Sequence, residues 1–107
     1  MSPNHTALIT GASAGIGHEL AKVFAANGHN LILVARRKQK LVSLARNLSS
    51  KHAIEATPIA MDLAADGAAE ALFDEVAERE LNVESLVNNA GVAFSGRYRN
   101  MKPAQIS

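Results

Sequence analysis

Apolar residues in this chain fall into two alternating kinds of cluster. Short strand-like segments occur at Ala7-Leu8-Ile9, Leu31-Ile32-Leu33-Val34, Ile54 to Ala60 and Leu86-Val87. The continuous run Leu31-Ile32-Leu33-Val34 predicts a strand buried on both faces. Between them the apolar residues recur at helical spacing. Ile16, Leu20, Val23 and Phe24 mark a first helix, which Asn27-Gly28 ends. Leu41, Leu44, Ala45 and Leu48 mark a second helix, with Arg, Lys, Gln and Asn on its wet face. Ala69, Leu72, Phe73 and Val76 mark a third, for which Asp66 is the expected cap. Pro58 counts against the third strand because it donates no ladder hydrogen bond. Gly91 to Asn100 reads as a polar loop, and Pro103 is placed to open another helix. No repeat, linker or low-complexity tract is present.

Strands separated by helices of ten or more residues require crossover connections and a parallel sheet. The expectation is an α/β fold with a doubly wound parallel sheet of order 3-2-1-4, and a ligand site at the carboxyl ends of the strands. In that order the strand at Leu86-Val87 has a neighbour on one side only. Its open edge predicts self-association into a homo-oligomer by edge pairing.

Composition narrows the class. The chain has 107 residues, 48% hydrophobic and 20% charged, with a net charge of +1. That suits one domain, residues 1–107, with no second domain. The near-neutral balance gives no electrostatic case for nucleic acid or a membrane surface. With no cysteine, disulfides and thiolate chemistry are excluded. The four histidines have no metal-ligand spacing, so no metal site is expected. No apolar stretch reaches the roughly 20 residues of a membrane span. No signal peptide is visible, which makes the cytoplasm the expected location.

The candidate chemistry lies at Thr10-Gly11-Ala12-Ser13-Ala14-Gly15-Ile16-Gly17, between the first strand and the first helix. A helix start offers unpaired N–H groups and a partial positive charge to an anion. Glycines let the backbone turn sharply and approach a pyrophosphate closely. The placement, more than the glycines themselves, is what a dinucleotide site requires.

This turn, with Asn88-Asn89-Ala90-Gly91 about seventy residues later and Asp62 after the third strand, resembles the short-chain dehydrogenases/reductases. The resemblance covers essentially the whole chain and implies a Rossmann-type fold. It further implies that Gly11, Gly15 and Gly17 shape a pyrophosphate turn lined by Ser13 and Ile16. Asp62 would accept a hydrogen bond from the adenine amino group, and Leu63 would offer its backbone N–H to the ring. Asn89, Ala90 and Gly91 would lie beside the adenosine ribose.

The end of the second strand separates the two nicotinamide cofactors. An acidic residue there would bind a ribose 2′-hydroxyl, and would repel a 2′-phosphate. This chain has Ala35, then Arg36 and Arg37. A guanidinium binds phosphate through two parallel hydrogen bonds. The expected cofactor is therefore NADP(H), with Arg36 as the main contact and Ser13 and Arg37 assisting.

Tyr98-Arg-Asn-Met-Lys102 matches the family's catalytic Tyr-x-x-x-Lys string. In the family that pair follows Asn-Ala-Gly by some sixty residues, on a long helix beyond a fifth strand and after a catalytic Ser. Here Tyr98 is seven residues past Gly91, Ser95 is close by, and Pro103 follows Lys102. The match is read as coincidence, and no catalytic residue is assigned. The resemblance thus implies the cofactor-binding half of an NADP(H)-dependent oxidoreductase, truncated and inactive alone, moving hydride between nicotinamide and an alcohol or carbonyl. The alternative is a non-catalytic dinucleotide-binding or interaction module. A mononucleotide-binding loop is disfavoured, because no Gly-Lys-Ser/Thr string is present.

Overall fold

A computed structural model describes residues 5–89 and the backbone of 102–104. Its elements alternate in chain order as β1 (Thr6–Thr10), α1 (Gly15–Ala26), β2 (Asn30–Ala35), α2 (Lys38–His52), β3 (Ala56–Ala60), α3 (Ala68–Glu78), β4 (Ser85–Val87) and β5 (Lys102–Ala104). The strands form one parallel sheet of order β3-β2-β1-β4-β5. The expected order 3-2-1-4 is therefore present, extended by one strand.

That fifth strand corrects two expectations. Pro103 lies in a strand, opposite Leu86, and opens no helix. The outer side of β4 is paired along Ser85–Val87, so β4 is not the open edge from which self-association was argued.

The strands divide their side chains between two layers, as the two-residue period of a pleat demands. Ala7 and Ile9 of β1, with Leu31, Leu33 and Ala35 of β2, face α1 and α2. Leu8, Ile32 and Val34 face the other way, toward Leu72 and Val76 of α3. Burial on both faces explains why these strands read as continuous apolar runs. On the first layer Ala21 and Ala25 let α1 lie close to the sheet, and Leu41, Leu44, Ala45 and Leu48 seal α2 over β2 and β3. Each fully buried Leu or Ile contributes about 1.5–3 kcal/mol relative to exposure.

The helix ends follow local chemistry, with some departures. Asn27 caps α1, its Nδ2 donating to the Val23 carbonyl at 2.8 Å, and Gly28 leaves the helix at φ +84°. Asp66 does not cap α3 as expected: Gly67 holds the N-cap at φ +76° with no side-chain hydrogen bond. The buried face of α3 starts at Ala68, one residue before the expected Ala69. Pro58 is accommodated because β3 is an edge strand. Leu31 donates to the Glu55 carbonyl and Met61 to that of Ala35, so odd-numbered residues face β2 and Pro58 faces outward.

The β4–β5 pairing is directly testable. Removing residues 101–107 should raise amide exchange at Leu86 and Val87 and produce concentration-dependent association in light scattering. Unchanged protection and a monodisperse monomer would show that β5 does not cover β4.

Candidate functional site

Strand register brings the candidate residues together at one end of the sheet. Thr10 is level with Val34, so the turn after β1 lies beside the end of β2. The Ala12 N–H donates to the Val34 carbonyl at 3.2 Å, which ties the turn to that strand. Ile9 is level with Val87, which sets Asn88 and Asn89 against the same turn. Ala35 is level with Ala60, two residues before Asp62. Thus Gly11 to Gly17, Arg36, Asp62 and Asn89, far apart in sequence, share the carboxyl edge of four strands. Ligands of open α/β sheets bind at that edge.

The turn is held by a close contact. A Cβ on Gly17 would meet the Gly11 carbonyl oxygen at 2.1 Å and Asn89 Nδ2 at 2.8 Å. Only glycine lets the first turn of α1 lie against that carbonyl. Asn89 Nδ2 donates to the same oxygen at 3.3 Å. Gly11 and Gly15 stand at φ +65° and +59°, a region that disfavours side chains. Among the described residues, nothing lies within 4 Å of a Cβ added to Gly15. The space above the turn is therefore open, and the α1 N-terminus borders it. Ile16, beside it, is 59% exposed. An exposed isoleucine over an open glycine turn is what a bound ligand would cover, so these residues fit a dinucleotide.

Thr10 heads the turn string in the sequence but was given no role of its own there. It is fully buried, with its hydroxyl 3.4 Å from the Val87 carbonyl and 3.3 Å from Asn88 Oδ1. It thereby fastens the end of β1 to the segment that carries Asn89. A lone threonine closing a buried apolar strand was the available signal.

Arg36 and Arg37 are exposed where β2 passes into α2, and Arg37 occupies the N-cap with no side-chain cap bond. Among the described residues neither guanidinium has an ion pair. Cations at a helix N-terminus are electrostatically unfavourable unless an anion joins them. Ser13 borders a groove between α1 and α2 together with Lys40. Asp62 is exposed and shapes its own turn: its Oδ1 accepts the Ala64 N–H at 3.0 Å and its carbonyl that of Ala65 at 3.1 Å. Leu63 is half-buried against the α3-side core. Ala90, Gly91, Ser95 and Tyr98 lie outside the described residues. Lys102 lies in β5. No helix among the described residues is long and apolar enough to cross a membrane, and no group of metal-binding side chains occurs among them.

The sequence profile described as short chain dehydrogenase matches residues 5–107. The chain belongs to the short-chain dehydrogenase family. A very-long-chain 3-oxoacyl-CoA reductase of Meyerozyma guilliermondii is 43% identical over 91 residues, which is 83% of this chain and 26% of that protein. L-Sorbose reductase of Gluconobacter frateurii, solved with NADPH and L-sorbose, superposes with a TM-score of 0.76 at 33% identity, covering 90% of this chain and 36% of that one. A short-chain dehydrogenase of Sphingobium yanoikuyae, solved with NADPH, gives 0.74 at 38% identity, covering 92% and 38%. The chain therefore spans about a quarter of that 3-oxoacyl-CoA reductase and less than two-fifths of these solved chains.

The two glycines of the turn should respond differently. Gly17→Ala should cost about 1–3 kcal/mol by overpacking against the Gly11 carbonyl. Gly15→Ala should cost about 1–2 kcal/mol through backbone strain alone, and Asn89→Ala about 1 kcal/mol through its lost hydrogen bond. Urea denaturation measures all three, and a neutral Gly17→Ala would contradict the contact.

Proposed function

We propose that residues 1–107 form the NADP(H)-binding half of a Rossmann-type short-chain oxidoreductase. The observation that carries this reading is the pair Arg36 and Arg37, unpaired among the described residues at the end of β2, beside an open glycine turn. Its support from relatives is that two of the solved neighbours hold NADPH.

In this reading the glycine turn and the N-terminus of α1 hold the pyrophosphate, since both present backbone N–H groups to an anion. Ser13 and Ile16 line that turn. Asp62 accepts from the adenine amino group through the oxygen that its own turn leaves free, and Leu63 offers its N–H. Asn89, Ala90 and Gly91 flank the adenosine ribose. Arg36, assisted by Arg37 and Ser13, holds the 2′-phosphate and excludes preference for NAD(H). When bound, the cofactor supplies or accepts hydride at its nicotinamide ring. The residues of this chain bind and orient it, and Tyr98 and Lys102 are given no catalytic role. The substrate class of the whole oxidoreductase is an alcohol or carbonyl compound.

Calorimetry with both cofactors tests the assignment. NADP(H) should bind more tightly than NAD(H). Arg36→Ala should weaken NADP(H) by about 1.5–3 kcal/mol, the value of a charge-assisted hydrogen-bonded pair. NAD(H) affinity should stay within error. Equal loss for both cofactors, or no loss for NADP(H), would refute the role of Arg36.

A further inference from the structure

The charges of this chain are sorted between the two faces of its sheet. Residues 36–52, on the α2 side, hold six lysines and arginines and no acidic residue. Residues 62–84, which include α3 on the opposite side, hold eight acidic residues and one cation, Arg79. The net charge of +1 conceals this separation.

The cationic face is a shallow groove, widely open to solvent. It runs between α1 and α2 from Ser13 past Lys40, Ser43 and Asn47 to Lys51. A second depression shares Ser43, Asn47 and Lys51 and adds Arg46. From Lys40 to Lys51 the groove follows α2 for about 16 Å. Across it on α1, Lys22 lies 3.5 Å from Glu19, and His18 lies 3.4 Å from the same carboxylate. Glu19 thus offsets Lys22, and the uncompensated charge of the groove is that of α2. Among the described residues Lys40, Arg46 and Lys51 have no ion pair. The groove has no acid on its α2 wall, and it opens at Ser13 onto the glycine turn.

A surface carrying unpaired charges of one sign raises the local concentration of an oppositely charged ligand and its rate of arrival. Paired surface cations would be quenched by their partners and would not do so. We propose that this α2-lined groove is an electrostatic entry path. An anionic dinucleotide meets Lys40, Arg46 and Lys51 first and then passes to the turn at Ser13. The inference rests on the dinucleotide reading of the turn and adds a role for residues outside it. Lys40, Arg46 and Lys51 are positioning residues for the encounter. They speed arrival and leave the docked complex to the turn and Arg36.

Stopped-flow binding of NADPH to the whole chain separates arrival from retention. Arg46→Gln/Lys51→Gln should slow association about three- to tenfold at low salt, with the dissociation rate unchanged. The difference should vanish near 0.5 M salt, where the screening length falls to roughly 4 Å. Arg79→Gln removes a like charge from the α3 side and should leave association unaltered. NADH, which lacks the 2′-phosphate, should show a smaller effect of the double substitution. An unchanged association rate overturns the path, as does a loss confined to dissociation or matched by Arg79→Gln. If Arg36→Ala leaves NADPH affinity intact while the double variant still slows association, the assignment of Arg36 fails and the path stands. A chain that binds neither dinucleotide overturns both.

Discussion

Everything at the carboxyl edge of the sheet depends on one backbone contact, the seating of Gly17 against the carbonyl of Gly11. With a 2.1 Å approach to any added Cβ, α1 starts where it does only because residue 17 has no side chain. Three consequences follow. The N-terminus of α1 is brought over the end of β1. Asn89 can reach the Gly11 carbonyl, which draws the segment after β4 onto the turn. Gly15 is left at φ +59° above open space, where an anion can approach the backbone. The same atoms therefore close the fold and shape the cradle, so the turn cannot be altered for binding without also being altered for stability.

The core was legible where the periods are clean, in β1, β2 and α2. In α1 the expected Ile16 and Val23 are exposed, and the small residues Gly17, Ala21 and Ala25 form the buried face because the helix lies close to the sheet. Leu8 and Ile9, adjacent in sequence, fall into opposite layers. A strand with that property must be buried on both faces, and strands alternating with amphipathic helices leave little choice of topology. The candidate site was legible for the same reason: once the strands are parallel, every residue just past a strand end gathers at one edge. What escaped was set by pairing and by local backbone rather than by hydrophobic pattern. β5 is three residues with a proline at its centre, a string whose composition suggests a helix start. It becomes a strand because β4 has an unfilled ladder on that side. Gly67 replaces Asp66 at the start of α3 because the segment enters the helix at positive φ, which glycine tolerates and aspartate tolerates less readily. Likewise α2 ends on Ala53 at φ +54°, a left-handed residue that propensity assigns to glycine or asparagine.

Pairing also decides where polar groups go at the strand ends. Thr10 is fully buried, and a buried hydroxyl without a partner carries a desolvation penalty of about 1–3 kcal/mol. Its hydroxyl lies within hydrogen-bond reach of the Val87 carbonyl and Asn88, so the pairing of β4 beside β1 contributes to meeting that penalty. Asp62 spends one carboxylate oxygen on the Ala64 N–H. That bond helps fix the loop after β3. Both residues show the chain using ordinary hydrogen-bond satisfaction to order the rim of a site.

The charges follow a different logic from the core. Arg36, Arg37 and Lys38 crowd the N-terminus of α2, where the helix dipole opposes them, and no acidic residue stands in the first turn. Moving them to the far end of the helix, where Lys51 and His52 already lie, would be more favourable for the isolated domain. Their placement therefore lowers stability slightly and gains nothing within the described structure. An anion at the carboxyl edge reverses the sign of that term: the dipole and the guanidiniums then act on the same charge. The glycine turn thus serves both the fold and the cradle, whereas the exposed cations of α2 take no part in the packing of the fold.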